Sequence, residues 1–300
     1  MTATPLPPEA PPPLSAILLP ATPVPATPIP LPAIPRPTNR VAVVTGASSD
    51  LGRALAIGLA RQGVHVAGIA RDAQRLAQTA DLCPSGLFTA LPGDVIDPQA
   101  MRDLAAQVAA RIGPVGIVIN SAIIYRRDDF LTHPAETFVR HIHVNCCGPI
   151  HVASAFLPAM LEQGRGRIVN IGSFAGADPV PGSLGYSVSK AGARSFTQAL
   201  TVELAGRLPG ISVVEWFPGV RLSADGQAED IPADIVAPWG VALALDDRPG
   251  LHGASFMKDR EMLEPRSLRR RIKNALLFKP TPMPRILTPH PSDPGTGDVS

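Results

Sequence analysis

Tyr186 and Lys190 are the residues of this sequence whose types and spacing most directly suggest chemistry. On a helix, a spacing of four residues would place both side chains on one face, one turn apart. A neighbouring ammonium stabilises a phenolate and so lowers a tyrosine pKa from its usual value of ~10. The pair therefore predicts a phenol that donates or accepts a proton near neutral pH. Taken alone, the same spacing is also typical of a solvent-exposed helix face.

A turn rich in small residues follows the first apolar run of the sequence. The β-branched run 40–45 precedes Gly46, and Gly52 begins a stretch with apolar residues at helical spacing. A second apolar run, 64–69, completes a strand–helix–strand unit, the context in which a dinucleotide-binding turn occurs. Gly46 would allow the tight turn, and Gly52 would let the helix pack closely on the strand. The helix N-terminus would then offer backbone N–H groups to a pyrophosphate.

With these residues in this order, the chain resembles the short-chain dehydrogenase/reductase family. The family's Thr-Gly-x-x-x-Gly-x-Gly motif is matched at 45–52, apart from its middle glycine. The family's catalytic Ser, Tyr and Lys look like Ser173, Tyr186 and Lys190, with twelve residues between the Ser and the Tyr. Its fourth catalytic group, an Asn on the central helix, looks like Asn145.

The resemblance covers residues 39–258 and implies a set of cofactor-binding residues. They belong to the glycine turn, the end of the second strand, an acidic pair near the adenine ring, the turn after the fourth strand, the catalytic helix and a Pro-Gly motif after the sixth strand. They are Thr45, Gly46, Ser48, Asp50, Leu51, Gly52, Arg71, Asp94, Val95, Asn120, Ala122, Tyr186, Lys190, Pro218, Gly219 and Ser223.

The chemistry implied by the resemblance is hydride transfer between a nicotinamide and a carbonyl carbon. In the direction of reduction, Tyr186 would donate its proton to the developing alkoxide, and Ser173 would hydrogen-bond the same oxygen. Lys190 would lower the Tyr186 pKa and hold the nicotinamide ribose. Asn145 would position a water that links Lys190 to solvent. The protein is thus expected to be an enzyme that uses NAD(P).

The residues after the second predicted strand favour NADP(H) as the cofactor. An acidic residue at the end of this strand would bind the ribose 2′-hydroxyl of NAD, whereas an Arg would bind the 2′-phosphate of NADP. Here Ala70 is neutral and Arg71 follows it, and a guanidinium can bind a phosphate through two hydrogen bonds. Asp72, together with the lack of a basic residue at Ser49, keeps NAD(H) open.

Two positions depart from the family pattern. Asp50 stands where the family has its middle glycine, and a carboxylate there could repel the pyrophosphate. Alternatively, Asp50 faces solvent and caps a helix that begins near Leu51, and we favour this interpretation. Ile123 replaces the last glycine of the family's Asn-Asn-Ala-Gly turn and could reshape the pocket beside the nicotinamide.

The substrate is expected to be a hydrophobic carbonyl compound or alcohol, such as a 3-oxoacyl or polyketide-like molecule. The apolar residues that could line its pocket, or equally belong to the core, are Ile123, Ile124, Phe174, Leu184 and Trp216. The alternative is a non-catalytic nucleotide-binding or scaffolding protein that kept the fold, for which Asp50 and the long tails are the motivation. The set of Ser173, Tyr186, Lys190 and Asn145 argues against this alternative.

The alternation of strand and helix patterns predicts an α/β fold with a single Rossmann-like, doubly wound parallel sheet of about seven strands and helices on both faces. The predicted strands are 40–45, 64–69, 87–91, 115–120, 166–171, 211–216 and 254–256. The predicted helices are 51–62, 73–80, 98–112, 134–162 and 186–207. Between Ser223 and residue 253 the chain looks too short for the long substrate lid that some members of the family carry. Only 224–232 is polar enough to be a mobile loop, so we expect a fairly open pocket.

Composition divides the 300 residues into one domain and flanking segments. We expect a disordered Pro/Ala-rich tail over 1–38, the NAD(P)-binding domain over 39–258, a basic amphipathic segment over 259–279 and a disordered tail over 280–300. The stretch 266–279 could lie on an anionic membrane surface or pack on its own domain.

The remaining properties of the sequence limit the kinds of partner. A formal net charge of +2 gives no sign of a nucleic-acid partner, and no stretch is long and apolar enough to span a membrane. The three cysteines, Cys83, Cys146 and Cys147, form no disulfide framework or metal-binding pattern and are typical of a reducing compartment. We therefore expect a cytoplasmic protein without a metal, and the family resemblance implies a homo-oligomer.

Overall fold

The computed structural model describes residues 40–179, 181–222, 228–263 and 283–289. Its strands are β1 Val41–Thr45, β2 His65–Ala70, β3 Phe88–Pro92, β4 Val115–Asn120, β5 Gly166–Ile171, β6 Ile211–Phe217, β7 Val220–Leu222, β8 Ala228–Asp230, β9 Ser255–Met257 and β10 Arg260–Met262. Its α-helices are α1 Asp50–Arg61, α2 Ala73–Asp81, α3 Pro98–Arg111, α4 Ala135–Ile142, α5 Gly148–Gln163, α6 Leu184–Leu204 and α7 Ala233–Leu245. A π-helical turn, His143–Cys147, joins α4 to α5, and a 3-10 helix, Phe174–Gly176, follows β5.

Eight of the strands form one sheet in the order β3-β2-β1-β4-β5-β6-β9-β10, while β7 and β8 pair separately. Every pairing in this sheet is parallel except that of β10 with β9. The chain winds outward from β1 to β3 and then returns to β4, so the strand order reverses between β1 and β4. In such sheets the ligand crevice lies at this point, outside the carboxyl ends of the strands. The predicted fold class is confirmed, and β10 is added to the seven predicted strands.

Different helices cover the two faces of the sheet. On one face, α1 and α7 pack around Leu55, Trp216 and Val241. On the other face, α3, α5 and α6 pack around residues that include Phe156 and Val213. Burial on both faces explains why the central strands are almost continuously apolar instead of alternating with polar residues.

The long helix predicted over 134–162 consists of two helices with a π-helical turn between them. α5 begins at Gly148, so Gly148-Pro149, where a bend was predicted, directly follows this turn. Proline is tolerated in the first turn of a helix, where its missing N–H would have no helical acceptor. Pro158 lies within α5, so the second predicted bend does not end the helix.

Helix α7 and the β7–β8 hairpin were not predicted from the sequence. α7 lies after the segment in which a polar loop was expected and packs on α1. Residues 223–227, which include the candidate cofactor residue Ser223, lie outside the described residues.

The stretch 283–289 lies against β10. Leu287 is buried and its N–H donates to the Asp259 carbonyl at 2.7 Å, while the Glu261 N–H donates to the Arg285 carbonyl at 2.9 Å. The expectation of a disordered tail over 280–300 is therefore wrong for this stretch. The predicted tail 1–38 and the basic stretch 266–279 lie outside the described residues.

One stretch of the described chain, Ala135–Gln163, has the length and hydropathy that a membrane-spanning helix would need. It consists of α4, the π-helical turn and α5, and it contributes Val152, Phe156 and Met160 to the core beneath the sheet. Packing against the sheet accounts for its apolar composition.

Candidate active site

Tyr186 and Lys190 lie on the same face of α6, near its N-terminus. The helix begins at Leu184, so Tyr186 is in its first turn and Lys190 is one turn further. The Lys190 Nζ lies 5.9 Å from the centre of the Tyr186 ring. The structure thus brings together the phenol and the ammonium that the sequence singled out, at a distance where the cation acts on the ring.

Lys190 is buried, and its position is fixed from the neighbouring strand. Its Nζ donates a hydrogen bond of 2.9 Å to the carbonyl of Ile171, the last residue of β5. Burial lowers the pKa of Lys190 to about 8, and the negative charge of Glu215 partly opposes this fall. Because that pKa is above 7, the ammonium stays mostly protonated at neutral pH.

Ser173 follows β5 by two residues and is held by the loop that comes after it. Its backbone is extended, and its Oγ accepts a hydrogen bond of 3.3 Å from the Ala175 N–H. The next turn packs directly on α6, because a Cβ on Gly176 would lie 2.7 Å from the backbone nitrogen of Ala191. This contact places the Ser173 loop beside the helix that bears Tyr186 and Lys190.

Asn145 lies in the π-helical turn and is almost fully buried. Its side chain accepts from the Ile124 N–H at 2.8 Å and donates to the Ile124 carbonyl at 2.9 Å. It also donates to the Ser189 Oγ at 3.0 Å. π-helical turns occur frequently at functional sites, and this one lets a single amide connect the loop after β4 to α6. The side chain therefore acts first as a clamp between these two elements.

The glycine turn after β1 is pressed against the turn after β4. Gly46 has φ +70°, and a Cβ there would lie 2.9 Å from the Ala122 Cα. The Thr45 Oγ1 accepts from the N–H groups of Ser121 and Ala122 at 3.1 and 3.0 Å. A Cβ on Gly52 would lie only 2.3 Å from the Gly46 carbonyl oxygen. The turn therefore has the close backbone packing that a dinucleotide pyrophosphate requires, and the residues fit this cofactor. Ser48 in this turn is buried and Leu51 is partly buried.

Asp50 differs from its predicted role. The N-cap of α1 is Ser49, and Asp50 is the first helical residue, exposed and with φ +43°. The prediction that Asp50 caps the helix is therefore wrong, whereas its side chain does face solvent. A positive φ is a conformation that glycine adopts without strain, so a glycine would fit the backbone of this position.

Replacing Asp50 with Gly is expected to raise the free energy of unfolding by up to about 1.7 kcal/mol. The left-handed conformation costs a non-glycine residue about 1–2 kcal/mol, and losing a carboxylate from the first helical turn returns about 0.3–1 kcal/mol of this. Urea denaturation followed by circular dichroism measures the change. Asp103→Gly, at an exposed position inside α3, is the matched control and should destabilise the protein. Destabilisation by both variants would contradict the expectation.

The two residues after β2, Arg71 and Asp72, differ in whether their side chains are already engaged in hydrogen bonds. The Asp72 carboxylate is the N-cap of α2 and accepts from the Arg75 N–H at 2.9 Å. Arg71 is exposed, and its side chain has no hydrogen bond or ion pair within the described residues. Ala70, the last residue of β2, is buried. The guanidinium is thus available to a ligand at this strand end, while the neighbouring carboxylate is engaged.

Three other predicted cofactor residues have local structural roles. Val95 is buried, and the Asp94 carboxylate accepts from the Ile96 N–H at 3.2 Å. Asn120 is buried and donates to the Asn170 Oδ1 at 2.8 Å, so its side chain connects β4 to β5. Contact of Asn120 with a cofactor would therefore fall to its backbone.

The predicted Pro-Gly motif follows β6 at residues 218–219. Gly219 has φ +91°, and a Cβ on it would lie 2.9 Å from the Lys258 Cε. The positive φ favours glycine here, whereas the flexible Lys258 side chain could move away from a Cβ, so the backbone conformation is the structural reason for the motif in this chain.

The apolar residues that were candidates for the pocket wall divide into two groups. Ile123, Phe174 and Leu184 are exposed and can line a pocket. Trp216 is completely buried on the α1 side of the sheet, and its Nε1 donates to the Lys258 carbonyl at 2.9 Å. Trp216 is therefore a core residue, as its neighbour Phe217 also is.

Sequence reasoning missed two residues near Tyr186 and Lys190. The Tyr125 ring centre lies 4.7 Å from that of Tyr186, and Tyr125 is the only other tyrosine of the sequence. Glu215, on β6, interacts electrostatically with Lys190. The rarity of tyrosine and a carboxylate within an apolar strand were the available signals.

The fold and the site together define the class of protein, a dinucleotide-binding oxidoreductase. The features that define it are a doubly wound sheet, a glycine turn at its switch point, and a paired tyrosine and lysine. Within the described residues, no cluster of His, Cys, Asp and Glu side chains could hold a metal ion.

Comparison with known proteins gives the family. A family model described as short chain dehydrogenase matches residues 40–230, and the chain belongs to this family of NAD(P)-dependent oxidoreductases. An uncharacterized oxidoreductase of Staphylococcus saprophyticus is 33% identical over 213 residues, which cover 70% of this chain and 87% of that protein. The alternative of a non-catalytic scaffold gains no support from these relatives.

Two solved structures are similar to this chain. One is a metagenomic short-chain oxidoreductase in complex with NADP, with 28% identity and a TM-score of 0.64, covering 73% of this chain and 96% of that one. The other is a putative short-chain alcohol dehydrogenase from Sinorhizobium meliloti, with 30% identity and a TM-score of 0.57, covering 62% and 73% respectively.

Proposed function

We propose that this oxidoreductase uses NADP(H) to interconvert a hydrophobic carbonyl compound and its alcohol, with Ser173, Tyr186, Lys190 and Asn145 as its catalytic set. The observation that supports this most strongly is the pairing of Tyr186 with the buried, carbonyl-anchored ammonium of Lys190. Burying a cation is costly, and an apolar side chain could fill the same position of the helix. A chemical role therefore explains the buried ammonium beside a phenol better than packing does.

The proton chemistry belongs to the side chains of this chain. Tyr186 donates its hydroxyl proton to the carbonyl oxygen of the substrate, and the nearby Lys190 ammonium stabilises the phenolate that remains. Ser173, at the end of β5, donates a hydrogen bond to the same oxygen and orients it. When bound, the nicotinamide supplies the hydride. Asn145 keeps the loop after β4 in register with α6, so that the four side chains retain their relative positions.

The preference for NADP(H) over NAD(H) rests on the end of β2. Arg71 is exposed there, and Asp72, the acidic residue that could bind a ribose hydroxyl, is already the N-cap of α2. A guanidinium binds a phosphate through two charge-assisted hydrogen bonds. These contacts favour the 2′-phosphate of NADP.

Replacing Arg71 with Ala is expected to raise the Kd for NADPH by about tenfold or more and to change the Kd for NADH only slightly. Hydrogen bonds to a charged group contribute about 1.5–3 kcal/mol, and 1.4 kcal/mol corresponds to tenfold in affinity. Fluorescence titration with each cofactor measures both constants. Arg75→Ala, which removes another exposed arginine close by, controls for the general loss of positive charge. Equal weakening of both cofactors would show that Arg71 does not read the 2′-phosphate.

The substrate proposal rests on exposed apolar residues in the loops after β4 and β5 and at the start of α6, the elements that carry the proposed catalytic residues. Ile123 and Tyr125 come from the loop after β4, Phe174 from the loop after β5, and Leu184 from the start of α6. They favour a substrate with an apolar body, such as a 3-oxoacyl or polyketide-like compound. Consumption of NADPH with a panel of aliphatic, aromatic and 3-oxoacyl ketones tests this, and turnover of small polar ketones alone would contradict it.

The family relationship also suggests a homo-oligomer that works in the cytoplasm. Light scattering after size-exclusion chromatography of the full chain measures the assembly, and fractionation of the source cells measures the compartment.

A further inference from the structure

Glu215 is a buried carboxylate on the strand beneath α6. It is 5% exposed and lies on β6, where it is the register partner of Asn170 on β5. On the same face of β6, the preceding Ile211 and Val213 are buried apolar residues. A carboxylate in such surroundings is costly unless a cation compensates for its lost hydration, so a compensating charge is expected nearby.

Two cations of α6 compensate for this charge. The Arg194 Nε lies 3.9 Å from a carboxylate oxygen of Glu215, and Lys190 is one helical turn before Arg194. Burial raises the pKa of Glu215, whereas Arg194 and Lys190 oppose the rise. Arg194 is 40% exposed, so its guanidinium stays in contact with water while its positive charge helps to keep Glu215 ionised.

Few other titratable groups face this cluster from the elements around it. On α6, Tyr186 lies 5.9 Å from the Lys190 Nζ. Cys146 of the π-helical turn packs against α6 at Gly192. His252, before β9, bonds the Thr201 carbonyl further along the same helix. The Lys190 Nζ donates to the carbonyl of Ile171, whose register partner on β6 is Trp216, the residue next to Glu215. Glu215 is thus the anion that the sheet places beneath Lys190, and its charge raises the Lys190 pKa against the effect of burial.

We propose that Glu215 is a positioning residue for the oxidoreductase reaction: its carboxylate keeps the buried Lys190 ammonium charged, while Arg194 keeps Glu215 ionised. This inference rests on the proposed function, in which the Lys190 charge stabilises the Tyr186 phenolate. A single bond to the Ile171 carbonyl cannot replace the hydration that the ammonium loses on burial. A fixed anion beneath α6 supplies the missing stabilisation. The protonation of Lys190, a helix residue, therefore depends on Glu215 of β6.

The direct test is the titration of Lys190 in the full-length protein without cofactor. Lysine occurs at four positions, Lys190, Lys258, Lys273 and Lys279, so NMR of protein labelled with ¹³Cε-lysine gives few signals. Lys190→Met assigns the signal of Lys190 by its disappearance. In Glu215→Gln, the Lys190 midpoint should move to lower pH by about half a pH unit or more, since an opposite charge that favoured the ammonium is gone.

Two further variants make the titration decisive. Glu203→Gln makes the same chemical change at an exposed residue of α6 and should leave the Lys190 midpoint unchanged. Glu215→Asp retains the charge and should keep the Lys190 midpoint near its wild-type value. If Glu215→Gln does not fold, Glu215→Leu, which also removes the charge and suits a buried strand position, should give the same lowered midpoint. An unchanged midpoint in Glu215→Gln, or equal shifts in Glu203→Gln, would overturn the proposal.

The activity readout separates this inference from the proposed function. The alkaline limb of kcat/KM for ketone reduction should move to lower pH in Glu215→Gln, because the charged form of Lys190 is lost earlier. An alkaline limb that stays in place while the wild type turns over would overturn the positioning role. Absence of NADPH turnover in the wild type, together with a shifted Lys190 midpoint, would refute the proposed function and still support the dependence of Lys190 on Glu215.

Discussion

Replacing Tyr186 with Phe is expected to lower turnover by about 10²–10⁴-fold, the usual loss when a general acid is removed. The fold and the affinity for NADPH should change little, because the substitution deletes one hydroxyl and keeps the ring that contacts Tyr125. Steady-state kinetics with a ketone substrate and fluorescence titration with NADPH measure the two quantities separately.

Tyr125→Phe is the matched control for this experiment. It removes the other tyrosine hydroxyl of the chain, which accepts a hydrogen bond from the Arg127 Nε at 3.1 Å. This variant should stay within a few-fold of wild-type turnover. If Tyr186→Phe also stayed within a few-fold, Tyr186 would not be the proton donor.

The second large effect is expected from Gly52→Ala. A Cβ at this position would lie 2.3 Å from the Gly46 carbonyl oxygen, a backbone atom that cannot move aside alone. Forcing a methyl group into a packed site typically costs about 1–3 kcal/mol, and here the displaced atoms belong to the cofactor turn. We therefore expect both a lower free energy of unfolding and a loss of NADPH affinity of about tenfold or more.

Gly116→Ala is the control for the glycine substitution. It lies within β4, and a Cβ there would have no atom within 4 Å. Denaturation and cofactor titration of both variants should show a loss for Gly52→Ala alone. Wild-type NADPH affinity in Gly52→Ala would mean that the turn after β1 does not bind the pyrophosphate.

The strands of the sheet could be predicted because each one has a recognisable local sequence pattern. Runs such as 40–45 and 115–120 are short, apolar and rich in β-branched residues, and each is flanked by small polar residues or glycines. Their alternation with helical patterns then restricts the topology to parallel, right-handed crossovers. The catalytic pair could be predicted for a similar reason, since a spacing of four residues on one helix is a local property.

Helix α7 could not be predicted in this way. Its residues are apolar on nearly all sides, and Pro238 lies within it, so it shows neither an amphipathic period nor an uninterrupted helical pattern. A helix that packs on α1 and contributes many buried residues to the core on that face needs only a narrow polar face. The π-helical turn at 143–147 could not be predicted either, because a π-helical turn is defined by its hydrogen bonding and not by its composition.

Contacts distant in sequence account for the rest of the site. Glu215 meets Lys190 and Arg194 only because β6 lies next to β5 beneath α6, and no short-range pattern contains this information. The conformation of Asp50 was missed for another reason. Aspartate is a favoured N-cap residue, and this preference led to a wrong interpretation at a position whose φ is positive.

Residues 283–289 cover the outer side of β10, which would otherwise be the free edge of the sheet. A free edge offers unpaired N–H and C=O groups to other chains and is a template for aggregation. Here the Glu261 N–H and the Asp259 carbonyl are already bonded to the returning chain, and β10 has only three residues, two of them charged. Residues 283–289 therefore protect this edge of the sheet from edge-to-edge association between copies, a task separate from the chemistry at the central strands β1, β4 and β5.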